Sequence, residues 1–182
     1  MVEWNRIYSI LPIVSAAQKT NGLRVFQVQR IGKGCISYIL VLGSEEVIID
    51  PTIDIHIFIE FLQKQEAKLM GILETHIQAD HVSGMSFLAK KTKAKQYRAA
   101  DQQAGTVKVG KIDVQVLATP GHTPESKTYV IGKLAFTGDT LFVDGVGRPD
   151  LAKQVEEDAK ELYASLQKIA SLSDDTSILP AH

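Results

Sequence analysis

The sequence predicts an α/β (α+β) chain of two mixed β-sheets with helices on the outside. Three observations carry this. Short strand-like runs come first, strand–helix units follow, and more strands and one helix close the chain, an order that two sheets covered by helices satisfy. At 182 residues the chain is long enough to bury a substantial core within one domain. Histidines and aspartates recur at the ends of the predicted strands, where loops position chemistry on a rigid scaffold.

In order, residues 1–22 show no clean period and read as an N-terminal arm or a short helix closing on Asn21-Gly22. Leu23–Gln29 alternates around Val25 and Phe26 as a strand. Cys35–Leu42 is nearly all apolar, as in a strand covered on both faces, and Glu46–Ile49 follows the Gly43-Ser44 turn. Asp54 is the expected N-cap of a helix with Ile55, Phe58, Ile59 and Leu62 on one face. Met70–Leu73 is the next strand. A second helix is expected to start near Asp80, turning Val82, Met85, Leu88 and Ala89 inward, with Lys90, Lys91 and Lys93 at its C-terminal end. Ile112, Val114 and Val116 alternate as a half-buried strand, and Lys127–Ile131 with Leu134–Phe136 forms a hairpin across Gly132-Lys133. After the loop Val143–Asp150, an amphipathic helix places Val155, Ala159, Leu162, Leu166 and Ile169 on one face. The strand Ser177–Leu179 leads into Pro180-Ala181-His182.

Composition narrows the function. The chain is 45% hydrophobic and 23% charged, ordinary for a globular protein, and its net charge of −1 gives no basic patch for nucleic acid or an anionic membrane. The single cysteine, Cys35, precludes an internal disulfide and fits a reducing cytoplasm; within an apolar strand it reads as a buried small hydrophobe. Residues 7–17 are mildly apolar, but Glu3 offsets Arg6 and Pro12 interrupts the run, so a cytoplasmic location without a signal peptide is expected.

Of the five histidines, His56 lies on the first helix and reads as a surface residue. The other four, His76, His81, His122 and His182, sit at or just after strand ends, as do Asp80 and Asp139. Imidazole with carboxylate is a metal-ligand vocabulary. Gln78, a neutral amide inside Thr75-His76-Ile77-Gln78-Ala79-Asp80-His81, is the odd member.

The ordered set Thr-His-x-x-x-Asp-His (75–81), Pro-Gly-His (120–122), Thr-Gly-Asp (137–139) and Pro-Ala-His (180–182) resembles the metallo-β-lactamase superfamily. Within it, Glu74-Thr75-His76, Ala118–Thr123 and the block Phe136–Phe142 continuing through Gly145-Val146-Gly147-Arg148-Pro149-Asp150 resemble glyoxalase II and, more closely, the persulfide dioxygenases. The resemblance implies a four-layer αββα sandwich over residues 23–182, with relatives continuing past the residue where this chain ends. It also implies a first metal site at His76, position 78, His122 and Asp139, and a second at Asp80, His81, Asp139 and His182. Position 78 is histidine in that pattern. With Gln78 there, His76, His122 and Asp139 remain, the facial-triad composition of non-haem Fe(II) oxygenases.

The expected activity is oxidation of a thiol persulfide, such as glutathione persulfide, by O2 to sulfite and thiol, with one Fe(II) per chain. The alternatives are a thioester hydrolase of glyoxalase II type using Zn(II), and a degenerate metal-binding module of a sulfur-handling protein. Asp80 and His81 are then expected to orient water or ligand, and Gln78 to hydrogen-bond a water at the metal. Arg148 could pair with a substrate carboxylate, or form a salt bridge to Asp150 or Asp144 that shapes its loop. Asp50, at a strand end, is expected to bond a ligand histidine or to form the turn leading into the first helix. The expected partners are a small-molecule persulfide and O2, and self-association is open.

Overall fold

The computed structural model describes residues 8–13, 22–31, 34–77, 82–151 and 154–182. The chain forms two compact units, one of Met1–Leu73, Gln78–Tyr97 and Val109–Ile112, the other of Glu74–Ile77, Arg98–Lys108 and Asp113–His182.

The first unit carries a six-stranded mixed sheet in sequential order: β1 (Tyr8–Pro12), β2 (Arg24–Arg30), β3 (Ile36–Leu42), β4 (Glu45–Ile49), β5 (Lys68–Leu73) and β6 (Lys95–Tyr97). Neighbours from β1 to β4 are antiparallel; β4, β5 and β6 run parallel. Parallel neighbours need crossovers, and helices α1 (His56–Gln65) and α2 (Met85–Thr92) supply them. Central position explains the composition of β3, buried from Ser37 to Val41. Phe58, Phe61 and Leu62 of α1 join Ile39, Val41, Ile48 and Ile72 of the sheet in one core, with Phe26 meeting Phe61 edge-on at 4.9 Å between ring centroids. Cys35 is buried, and His56 is exposed on α1.

Three expectations change here. Part of the arm, Tyr8–Pro12, is a strand paired with Phe26–Arg30, not a helix. Asp54 does not cap α1: Ile55 occupies that position with no side-chain bond, while Asp54 Oδ2 accepts the Tyr8 hydroxyl at 2.5 Å. The second helix begins at Met85, not near Asp80. Gly84 stands at its N-cap, Ser83 Oγ accepts the Met85 N–H at 3.1 Å, and Val82 is 62% exposed.

The second unit carries a five-stranded mixed sheet in the order β11 (Ser177–Pro180), β10 (Leu134–Gly138), β9 (Lys127–Ile131), β8 (Ile112–Ala118) and β7 (Gly105–Val109). Strands β8, β9 and β10 are antiparallel in turn, and β10 pairs parallel with β11. The expected hairpin of β9 and β10 is present. Helix α3 (Val155–Ala170) buries Asp158, Leu162, Ser165 and Ile169, whereas Val155 and Ala159 of the expected face are exposed. Contact with the Pro120-Gly121 turn rotates the stripe: Ser165 Oγ donates to the Pro120 carbonyl at 2.7 Å, and a Cβ on Gly121 would overlap the Leu162 backbone. Among the described residues, no helix is long and apolar enough to cross a membrane.

Candidate metal centre

Strand ends supply the centre, and its residues all belong to the second unit. His76 follows β5, His122 lies in the loop from β8 to β9, Asp139 follows β10 directly, and His182 follows β11. His76, His122 and Asp139 are buried, at 2%, 8% and 8% exposure. One ligand atom from each lies within 4.8 Å of the others. Asp139 Oδ2 stands 3.7 Å from His76 Nε2 and 3.6 Å from His122 Nε2. The two imidazoles meet edge to face with centroids 5.2 Å apart.

The outer nitrogen of each ring is engaged. His122 Nδ1 donates to the Arg148 carbonyl at 3.1 Å, which fixes the tautomer and leaves the Nε2 lone pair facing Asp139. His76 Nδ1 is bonded to Thr75 Oγ1 at 2.9 Å. Asp139 Oδ1 accepts from His182 Nδ1 at 2.8 Å, which leaves Oδ2 turned toward the two histidines.

This donor set fits a divalent metal. Two ligand atoms about 2.1 Å from one ion stand about 3 to 3.5 Å apart, close to the spacings here, and a buried carboxylate facing two imidazole nitrogens beyond hydrogen-bond range is matched by a shared cation.

Two glycines make the approach possible. Gly138 adopts a left-handed φ of 54°, and a Cβ there would strike the Thr75 side chain, which is 2.7 Å away at its Cβ. At Gly147 a Cβ would overlap the Asp139 carbonyl and lie 2.9 Å from the His122 ring. Only glycine therefore lets the loop bring the Arg148 carbonyl to His122.

Gln78, Asp80 and His81 lie outside the described residues. Arg148 is exposed and spends its guanidinium on Asp150, donating from Nε at 2.5 Å and Nη2 at 2.8 Å. These bonds, then the attraction between the charges, hold Asp150 below the usual carboxylate range. The expected loop-shaping salt bridge is thus formed with Asp150, and the residue's contact with the centre is its main-chain oxygen. Asp50 belongs to the first unit. Its backbone takes a φ of 50° after β4, its N–H donates to the Leu73 carbonyl, and its own carbonyl accepts from Ser37 Oγ at 2.6 Å.

The sequence pattern did not single out Thr75 or Glu125. Thr75 carried a signal in its place beside His76. Glu125 carried none, because its role is tertiary: Oε1 accepts both the Ile77 N–H at 2.8 Å and the Thr123 hydroxyl at 2.7 Å, the residues following His76 and His122. Burial pushes the Glu125 carboxyl up, but these hydrogen bonds outweigh it and hold the group below its ordinary range. Glu125→Ala is expected to weaken metal binding about tenfold, with Glu125→Gln retaining most of the affinity. A chelator competition titration checks this, and equal affinities for the alanine variant and wild type would remove the clamp from the account.

The family model for the metallo-beta-lactamase superfamily matches residues 31–105 and 101–182. The mitochondrial persulfide dioxygenase of Mus musculus is 31% identical over 183 residues, covering 91% of this chain and 71% of that protein. A hydroxyacylglutathione hydrolase of Francisella tularensis subsp. novicida is 33% identical over 159 residues, covering 80% and 61%. The crystal structure of a metallo-beta-lactamase from Staphylococcus aureus superposes with a TM-score of 0.82 at 30% identity, over 88% of this chain and 56% of that one. The chain spans 71% and 61% of the lengths of these two curated relatives, and 37% of a beta-lactamase hydrolase-like protein of Agrobacterium fabrum that is 30% identical over 161 residues. The α/β fold of two mixed sheets with helices, a metal site built from strand-end histidines and an aspartate, and these similarities lead to one statement of kinship: the chain belongs to the metallo-beta-lactamase superfamily.

Proposed function

We propose that the chain is a mononuclear Fe(II) persulfide dioxygenase, with His76, His122 and Asp139 as the ligands. The observation that supports this most directly is the composition of the gathered set: two imidazoles and one carboxylate, with Gln78 where the superfamily pattern carries a further histidine. Such a set leaves coordination positions for a sulfur anion and for dioxygen. Zinc in closed sites favours a fourth protein ligand, which this set does not offer.

The overall reaction converts one persulfide R–S–SH, one O2 and one water into the thiol R–SH, sulfite and two protons. Bound at the centre, Fe(II) would supply the one-electron chemistry that dioxygen needs to react with a closed-shell sulfur. The chain's residues do the rest. His76 and His122 turn Nε2 toward Asp139 while their Nδ1 atoms are bonded to Thr75 Oγ1 and the Arg148 carbonyl. Asp139 offers a single oxygen because His182 holds the other. Burial of all three ligands strengthens the electrostatics among them. Gln78, Asp80 and His81 are assigned to orienting water or substrate.

The competing reading is a thioester hydrolase with zinc at two sites, the second formed by Asp80, His81, Asp139 and His182; similarity to a hydroxyacylglutathione hydrolase favours it. Metal analysis of the purified chain with oxygen-electrode assays on glutathione persulfide and on an alkyl persulfide separates the two. About one iron per chain with oxygen uptake supports the dioxygenase, and two zincs with thioester cleavage overturn it. Gln78→His is expected to raise zinc retention at least about tenfold and to abolish oxygen uptake. If wild type never takes iron and the histidine variant restores metal binding, Gln78 is a lesion and the proposal fails.

A further inference from the structure

We infer that the loop after Asp139 forms the pocket for the organic group of the substrate thiol, and that this group is apolar and uncharged, not an anionic peptide. The inference rests on the proposed site for where the sulfur reacts, but its own support lies in the loop.

Phe142, Val143, Asp144, Gly145 and His182 line a cavity of about 300 Å³, within the range of small-molecule sites. His182 joins it to the metal centre: its Nδ1 donates to Asp139 Oδ1 at 2.8 Å, and its ring meets Phe142 edge to face at 5.9 Å between centroids. A group in this cavity is therefore one side chain away from the ligand carboxylate. Val143 is 79% exposed and the nearby Val146 44%. Two valines held in water beside a reaction centre are a surface that gains by being covered.

Charge among the described residues argues against the anionic alternative. Among the described residues that line the cavity, Asp144 is the acid, and none is a lysine or arginine. The loop's cation, Arg148, has given Nε and Nη2 to both oxygens of Asp150. A ligand carboxylate would face Asp144 with the loop's guanidinium already committed, whereas an alkyl or aryl group would cover Val143 and Phe142 and leave Asp144 in water.

The test compares butane-1-thiol with glutathione. Their S-methyl thioethers are titrated in parallel, which removes the difference in thiol acidity, so the difference that remains reports the organic group. Calorimetric titration of each thiol into the metal-loaded full chain is expected to show butane-1-thiol binding at least about tenfold tighter. Val143→Lys adds a cation at a largely exposed position, where folding tolerates the change, and is expected to shift the ratio toward glutathione by about tenfold. Equal or tighter binding of glutathione by wild type, a ratio unmoved by Val143→Lys, or no binding of butane-1-thiol would overturn the pocket assignment. Oxygen uptake on the two persulfides is read separately. If neither is oxidised while the binding preference stands, the dioxygenase reading fails and the pocket survives.

Discussion

Asp139→Ala is expected to lower metal affinity by at least about 100-fold and to abolish metal-dependent activity of either kind. Asp139 is the one charged member of the gathered set, and its Oδ2 lies within 3.7 Å of both ligand nitrogens. Removing it takes away one of three donors and, among the described residues of the set, the one carboxylate that offsets the cation. Structural zinc sites with a full ligand set bind with about 10 to 16 kcal/mol, so one ligand is worth about 3 kcal/mol or more, which is the factor of 100. His182→Ala serves as the contrast. It leaves all three donors and removes only the group that holds Asp139 Oδ1, so about a tenfold loss is expected. Metal content after dialysis and competitive chelator titration measure both. If Asp139→Ala retains a full equivalent of metal, the centre is not built on Asp139.

Glu46→Gln is expected to raise the melting temperature by about 5 to 10 °C at pH 8 and to change it little at pH 4.5. Glu46 is fully buried on β4, between its cross-strand partners Val41 and Leu69, both members of the apolar core. Among the described residues neither carboxyl oxygen has a hydrogen-bond partner. Burial pushes its pKa from 4.5 up to about 7, and the Arg24 charge opposes the shift only in part. A raised folded pKa means that the folded chain binds this proton more tightly than the unfolded chain does. The group's cost is therefore absent below about pH 4.5, grows as pH rises, and is fully present above about pH 7. At about 1.4 kcal/mol per pH unit, the shift from 4.5 to about 7 corresponds to about 3 kcal/mol. Glutamine has the shape of the protonated acid and cannot ionise, so it removes the pH-dependent part alone. Thermal melts of both proteins at pH 4.5 and pH 8 decide it: an equal difference at the two pH values would show that Glu46 does not titrate between them.

The metal centre was legible to different depths in different residues. His76, His122 and Asp139 could be read because metal ligation restricts residue type and because each follows a recognisable apolar run. Gly138 and Gly147 were visible as parts of motifs, but the reason for them, close approach to Thr75 and to His122, needed coordinates. Glu125 and the Arg148 carbonyl were not legible: one joins loops 48 residues apart in sequence, and a main-chain oxygen leaves no mark in residue type. Arg148 shows how a chemically suggestive side chain can be committed elsewhere, since its fork binds Asp150 while its backbone serves the centre.

The sequence by itself determined the fold class, the hairpin of β9 and β10, and Phe58 and Leu62 as core positions of α1, and its resemblance to the superfamily pointed to His76, His122 and Asp139, which the fold gathers. The elements follow from local hydrophobic period, which does not depend on what lies across the fold; the histidines and the aspartate follow from a motif order shared with the superfamily. Tertiary structure decided the rest. Pairing with β2 made a strand of Tyr8–Pro12 and placed Tyr8 so that it took Asp54 from its expected cap. The Pro120-Gly121 turn turned α3 onto Asp158 and Ser165 in place of Val155 and Ala159. Strands β6 and β7, with Lys95, Gln96 and Lys108 among their few residues, became strands through the neighbours that accept their backbone hydrogen bonds. The physical reason is common to all three. A backbone group or an apolar face is satisfied by whatever partner the folded chain brings to it, and short polar segments carry too weak a period to name that partner in advance.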